Sequence, residues 1–208
     1  MNSEHLVMSR SFQLLAGHPV LDLANTLDYR YQPAKRIELL ESNDDLVQFG
    51  LQLGLLESRE ARRWKPALKK SSTDAYLQRA RELREAIEGI FAAIADRRRV
   101  NQEDLEILNS WIREASVHRS VERQKDAFVW TWQEAPSCID LLLWRIAQAA
   151  AELLTSPDLQ RVRRCDASNC RWLFLDKSKN HSRRWCDMKI CGNREKARAY
   201  YQRVASES

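Results

Sequence analysis

Four cysteines fall within residues 165–191 as two C-x4-C pairs, Cys165 with Cys170 and Cys186 with Cys191, separated by fifteen residues. So short a segment cannot bury enough apolar surface to fold on hydrophobicity alone. Disulfides supply the missing constraint in oxidising compartments. The N-terminus, Met1-Asn2-Ser3-Glu4-His5, however, has no basic start leading into an apolar run and so shows no secretory signal. A cytoplasmic chain keeps its thiols reduced, and paired cysteines at equal spacing then read as ligands of one metal. Four thiolates close a tetrahedral shell around Zn2+, whose binding energy takes the place of the missing core. One zinc per chain, held by Cys165, Cys170, Cys186 and Cys191, is therefore expected. A catalytic zinc would keep one position open, and His181, between the pairs, is read as a loop residue rather than a ligand. Cys138 stands apart in an apolar segment and is dispensable for the metal.

Charge divides along the same line. The 208 residues carry 34 Lys and Arg against 29 Asp and Glu, but residues 161–208 hold 13 of those cations and only 5 of the anions. The remainder is mildly acidic. A basic tail on an acidic body suggests a module with an anionic partner, with a merely solvated basic face as the alternative. No run of about eighteen apolar residues is present, so no membrane span is expected.

Upstream, only five Gly and five Pro in the whole chain argue for helices over a turn-rich β fold. A helix is expected over 20–29 after the turn Gly17-His18-Pro19. A second starts at Ser42 or Asn43 and turns Leu46, Phe49 and Leu53 inward. Residues 69–72 form a polar connection. The clearest helix runs over 74–97, with Tyr76, Ala80, Leu83, Ile87, Ile90 and Ile94 three or four apart, and Asn101 caps another through Leu105, Leu108, Ile112 and Ala115. Phe128-Val129-Trp130-Thr131-Trp132 alternates with period two and predicts a strand, with 117–121 as its hairpin partner. A last apolar helix opens at Pro136 and ends at Ser156-Pro157-Asp158, the expected domain boundary. The tail reads as a strand, a metal knuckle and the apolar strand 172–175. A polar turn over 177–182, a return strand, the second knuckle and a helix over 193–204 complete it. In that helix Ala197, Tyr200 or Tyr201, and Val204 are expected to face the zinc core. The fold class is α+β, mainly α: a helical domain over 1–158 with a small hairpin, and a ββα-like four-cysteine finger over 159–208.

Within the body, Asp22, Asn25 and Asp28 lie three apart on one expected helical face with Thr26 beside them. Such polar groups either bind a small ligand, a reading that takes in Asp22, Asn25, Thr26 and Trp130, or tie elements together. His18 is read as a turn residue. No Ser/His/Asp set, Gly-rich phosphate loop or second metal constellation is present, so no enzymatic activity is expected.

The run Cys191-Gly192-Asn193-Arg194, with Arg164-Cys165, Cys170-Arg171-Trp172-Leu173-Phe174-Leu175-Asp176 and Ser182-Arg183-Arg184-Trp185-Cys186, closely resembles the CGNR zinc finger family over about residues 160–203. Upstream, Leu21-Asp22-Leu23-Ala24-Asn25-Thr26-Leu27 resembles the ABATE domain that accompanies this finger in bacterial stress-induced transcription regulators. The resemblance implies a DNA-binding finger on a regulatory or ligand-sensing domain. In this sequence Gly192 is expected in a left-handed or crowded turn, Asn193 as a helix N-cap, and Arg194 in the first helical turn, where amides favour anions. Arg194 and Arg198 are expected to reach double-stranded DNA, with Arg183, Arg184 and Lys196 on phosphates. Alternatively Arg194 braces the fold against Asp176 or Asp187. Trp172 and Trp185 are read as finger core. One finger is small, so a homodimer is expected, with a small-molecule effector for the body. The competing reading is a zinc-stabilised protein- or RNA-interaction module.

Overall fold

The computed structural model describes residues 11–68, 73–133 and 137–206. The polar connection over 69–72 and the helix start at Pro136 lie outside them. Helix α1 (Pro19–Ala24) begins with proline at its first position and stops after six residues. The longer helix expected there is cut off because the chain turns at Asn25 and pairs β1 (Leu27–Asp28) with β2 (Ile37–Glu38). Asp28 therefore does not share a helical face with Asp22 and Asn25. Helix α2 (Asn43–Gln52) starts at a reciprocal capping box: Ser42 accepts from the Asp45 amide and the Asp45 carboxylate accepts back from the Ser42 amide.

Helix α3 (Ser58–Leu68) was not expected from the sequence, although Ala61, Trp64 and Leu68 stand three and four apart in it. Its Glu60 pairs with Arg145 at 2.8 Å, which anchors it to the body. Helices α4 (Thr73–Ala95), α5 (Gln102–Ser116, capped by Asn101) and α6 (Cys138–Thr155, capped by Ser137) complete the body. Leu83, Ile87, Ile90 and Phe91 of α4 and Leu142 and Ile146 of α6 are fully buried in its core. Strands β3 (Arg119–Gln124) and β4 (Ala127–Trp132) form an antiparallel hairpin in which Trp130 faces Val121, with Lys125 at φ +52° in the turn.

In the tail, β5 (Val162–Arg164) and β6 (Leu173–Leu175) pair antiparallel, and α7 (Asn193–Ser206) closes the chain. The architecture is α+β, mainly α, with a ββα-like finger. No return strand follows the polar turn. Instead the buried Asp176 carboxylate accepts from the Ser178 amide and hydroxyl and the Arg183 amide, which pins the loop in an irregular path.

Strand alternation makes β6 the seam of the molecule. Leu173 and Leu175, with Val162 of β5, enter the same buried cluster as the body helices. Phe174 points the other way, into a second cluster with Cys165, Ala167, Cys186 and Cys191. Asn25 completes the seam like an extra strand residue: its Nδ2 donates to the Leu173 carbonyl and its Oδ1 accepts from the Leu173 amide, both at 2.9 Å. Nearby, the Leu175 amide donates to Ala16 O at 2.8 Å and the Trp172 indole to Asp28 Oδ1 at 3.0 Å. Arg164, only 7% exposed in its side chain, pairs with Glu88 on α4 at 2.8 Å and with Asp96, just past the end of α4, at 2.5 Å.

Candidate metal centre and nucleic-acid interface

The β5–β6 hairpin brings Cys165 and Cys170 together across its loop, and a turn of π-helix over Met188–Gly192 delivers Cys191 opposite Cys186. The four Sγ atoms lie within 4.8 Å of one another, with Cys170 to Cys186 at 3.6 Å and Cys186 to Cys191 at 3.7 Å. These separations are far too long for a disulfide bond of about 2.05 Å. They match the edge of a tetrahedron with metal–sulfur distances of about 2.3 Å.

Electrostatics makes the same demand. Hydrogen bonds from Cys170 and then Cys186 hold the Cys165 thiol down to about 2, as a thiolate. Their bonds to Cys165 push Cys170 and Cys186 up, and burial pushes Cys191 up. Four sulfurs this close cannot all ionise beside one another, and a divalent cation removes that conflict. The site can hold one zinc ion through Cys165, Cys170, Cys186 and Cys191. His181 stands on an exposed turn at φ +49°, with Nδ1 3.3 Å from Asp176 O, outside the cluster.

The signature residues are placed differently from the sequence expectation in one respect. The N-cap is Asp187, whose carboxylate accepts from the Ile190 amide at 2.8 Å, and Asn193 already has helical φ and ψ. The helical turn starts five residues earlier than expected because the π-turn runs straight into α7. Gly192 has no left-handed backbone; it is crowded, since a Cβ there would meet Met188 Sδ at 2.5 Å. Beyond its first turn α7 is exposed on every side. Ala197, Tyr200, Tyr201 and Val204, expected against the zinc core, all face solvent, with Tyr201 70% exposed. The cysteines, Ala167 and Phe174 already fill the small core, with Trp172 and Trp185 packed against it.

The arginines sort into two groups. Arg183, expected on phosphate, lies over the Phe174 ring at 4.6 Å and donates to the carbonyls of Trp185 and Cys186, so its guanidinium braces the knuckle. Arg184 is largely exposed, against Asp166 at 2.7 Å. Arg194 meets neither Asp176 nor Asp187 and has no carboxylate partner among the described residues. Arg198 touches Glu195 at 2.8 Å and the Ser168 hydroxyl at 3.0 Å, and Lys196 is exposed.

In the body, Asp22, Asn25 and Thr26 come together but are engaged by the protein. Asp22 accepts from the Ala16 amide at 2.9 Å, and burial, opposed by this bond and another to Leu15, raises its carboxyl to about 6. Thr26 donates to Leu23 O at 2.7 Å. Trp130 does not join them; it stands on the open face of the β3–β4 hairpin. A cavity of about 520 Å³ does open beside Leu27, walled by Arg30, Arg36, Arg81 and Arg84 against Glu38 and Glu85. No sequence pattern marks it, because its arginines come from two distant segments, the β1–β2 connection and α4.

Residues 17–157 match the family model described as "Putative stress-induced transcription regulator", ABATE, and residues 161–204 match the CGNR zinc finger. The chain belongs to the ABATE family. No curated protein matches it. The seam through β6 thus joins the ABATE region to the CGNR finger, and among the described residues no helix is long and apolar enough to cross a membrane.

Proposed function

We propose that this ABATE-family protein is a DNA-binding transcription regulator whose zinc-held finger presents α7 to duplex DNA. The observation that carries the reading is the exposure of α7: a fourteen-residue helix whose residues from Lys196 to Ala205 are all exposed. Its length, about 21 Å, suits a major groove. The 100° step of an α-helix aligns Arg194, Arg198 and Tyr201 along one side, so two forked cations can reach base edges or phosphates together. Lys196 and the exposed Arg184 are suited to phosphate.

One helix buries little surface on DNA, so a homodimer presenting two fingers is part of the proposal. Effector sensing is assigned to the body. The arginine-walled cavity beside Leu27, with four cations against two carboxylates, suits a small anionic ligand.

A second reading draws on Tyr200 and Tyr201, exposed at 57% and 70% on the same helix. An exposed aromatic pair is also what a protein-docking helix offers. Selection of bound sequences from random duplex DNA by the zinc-loaded chain separates the two. The proposal expects a recovered motif that is lost in R194A/R198A, and no enrichment above background would leave the interaction module.

A further inference from the structure

The β3–β4 hairpin carries a feature that neither the finger nor the body core uses. Antiparallel register puts Arg119, Val121 and Arg123 on one face with Trp132, Trp130 and Phe128 directly opposite them. Of these only Trp132 packs inward, its ring stacked 6.2 Å from buried Trp144. Phe128 is 74% exposed and Trp130 64% exposed, and Val121 is exposed beside them. Leaving two aromatic rings in water is unfavourable. The opposite face instead carries Ser120, Glu122, Gln124, Val129 and Thr131.

The cations on the aromatic face are held in place without being neutralised. The Arg119 guanidinium lies 4.6 Å from the Trp130 ring and 5.2 Å from Trp132. Its Nε is buried without a hydrogen bond. Arg123 donates only to the Lys125 carbonyl. Among the described residues no carboxylate pairs with either arginine, and Glu122 projects from the other face.

We propose that this face is a stacking platform for single-stranded nucleic acid. Phe128 and Trp130 are two residues apart, about 7 Å along the strand, so each can take a separate base. Arg119 and Arg123 flank them with forked donors for the intervening phosphates. Charge decides against a second copy of the chain as occupant. Packing two such faces together would set arginines against arginines with no carboxylate between them, whereas a polyanion with planar bases complements both the charge and the rings. The inference does not rest on α7, which addresses duplex DNA from a different part of the chain.

The test is fluorescence anisotropy of a fluorescein-labelled deoxythymidine decamer and a uridine decamer with the full zinc-loaded chain. F128A, W130A, R123A and, as a finger control, R194A/R198A are compared. Phe128, Trp130 and Arg123 are exposed, so their variants should keep the wild-type melting temperature. The platform predicts binding of at least one decamer, weakened on the order of tenfold by F128A or W130A and several-fold by R123A, and unchanged in R194A/R198A. A ribose preference would identify RNA as the strand recognised, and equal affinity either single strand. The proposal is overturned if wild type binds neither decamer, if the hairpin variants bind as wild type does, or if only the finger variant loses affinity. It is equally overturned if W130A leaves decamer affinity intact and turns a dimer into a monomer by light scattering, since a second copy then covers the face.

Discussion

Asn25 is the residue whose role is furthest from what its surroundings in sequence suggest. Its side chain satisfies both backbone groups of Leu173, 148 positions away, at a buried seam. Asn25→Ala leaves that amide and carbonyl without partners, a loss of about 2–4 kcal/mol expected in chemical denaturation of the whole chain. Asp22 offers a second check, by pH. Unfolded, its carboxyl ionises near 3.8; folded, burial holds the proton until about 6. Between those values the unfolded chain gives up the proton first, so this group's contribution falls as pH rises from 4 to 6 and then stays level. The effect is on the order of 3 kcal/mol. Asp22→Asn should remove that fall, and a variant with the same pH profile as wild type would assign the slope elsewhere. The four zinc ligands, by contrast, were legible at once, because cysteine identity and spacing carry their chemistry locally. Nothing local reveals that Arg183 folds back on Phe174, or that Asn25 reaches the finger; both depend on partners brought close only by the fold.

At the level of elements, helices with strong apolar periodicity were readable from sequence, and α4 follows its expected face from Ala80 to Ile90. The hairpin was readable because aromatic alternation admits no helical face. The errors share a cause. Helix α1 stops early, and the return strand is missing, where a buried polar side chain, Asn25 or Asp176, takes over the backbone bonding. Helix α7 was expected to pack inward because its apolar residues are regularly spaced, yet the core it would enter is already filled. Since α7 is exposed from Lys196 to Ala205, its order depends on the metal knuckle at its start. Replacing Cys186 or Cys191 with Ser, or adding chelator, should therefore remove the helical signal of about one fourteen-residue helix while the body transition remains. Loss of all helical signal at once would place the body under the metal's control as well.

For the whole molecule, residues 158–160 separate the two matched regions in sequence, while Val162, Leu173 and Leu175 join them in space. A chain ending at residue 158 should keep a cooperative transition on its own helical core. It should melt at a lower temperature than the full protein, because truncation uncovers the surface these three residues shield. A finger so closely docked moves with the body instead of swinging from a linker, and any effector held by the arginine-walled cavity acts on a unit that includes α7. The proposed DNA contact then rests mainly on charge along α7, with Arg184 beside it, and salt dependence measures charge contacts most directly. The deciding measurement is the slope of log affinity against log salt for duplex carrying the selected sequence, in wild type and in R194A/K196A/R198A. The account predicts a steep negative slope in wild type, made shallower by about 2–3 in the triple variant. Equal slopes in the two proteins would contradict it.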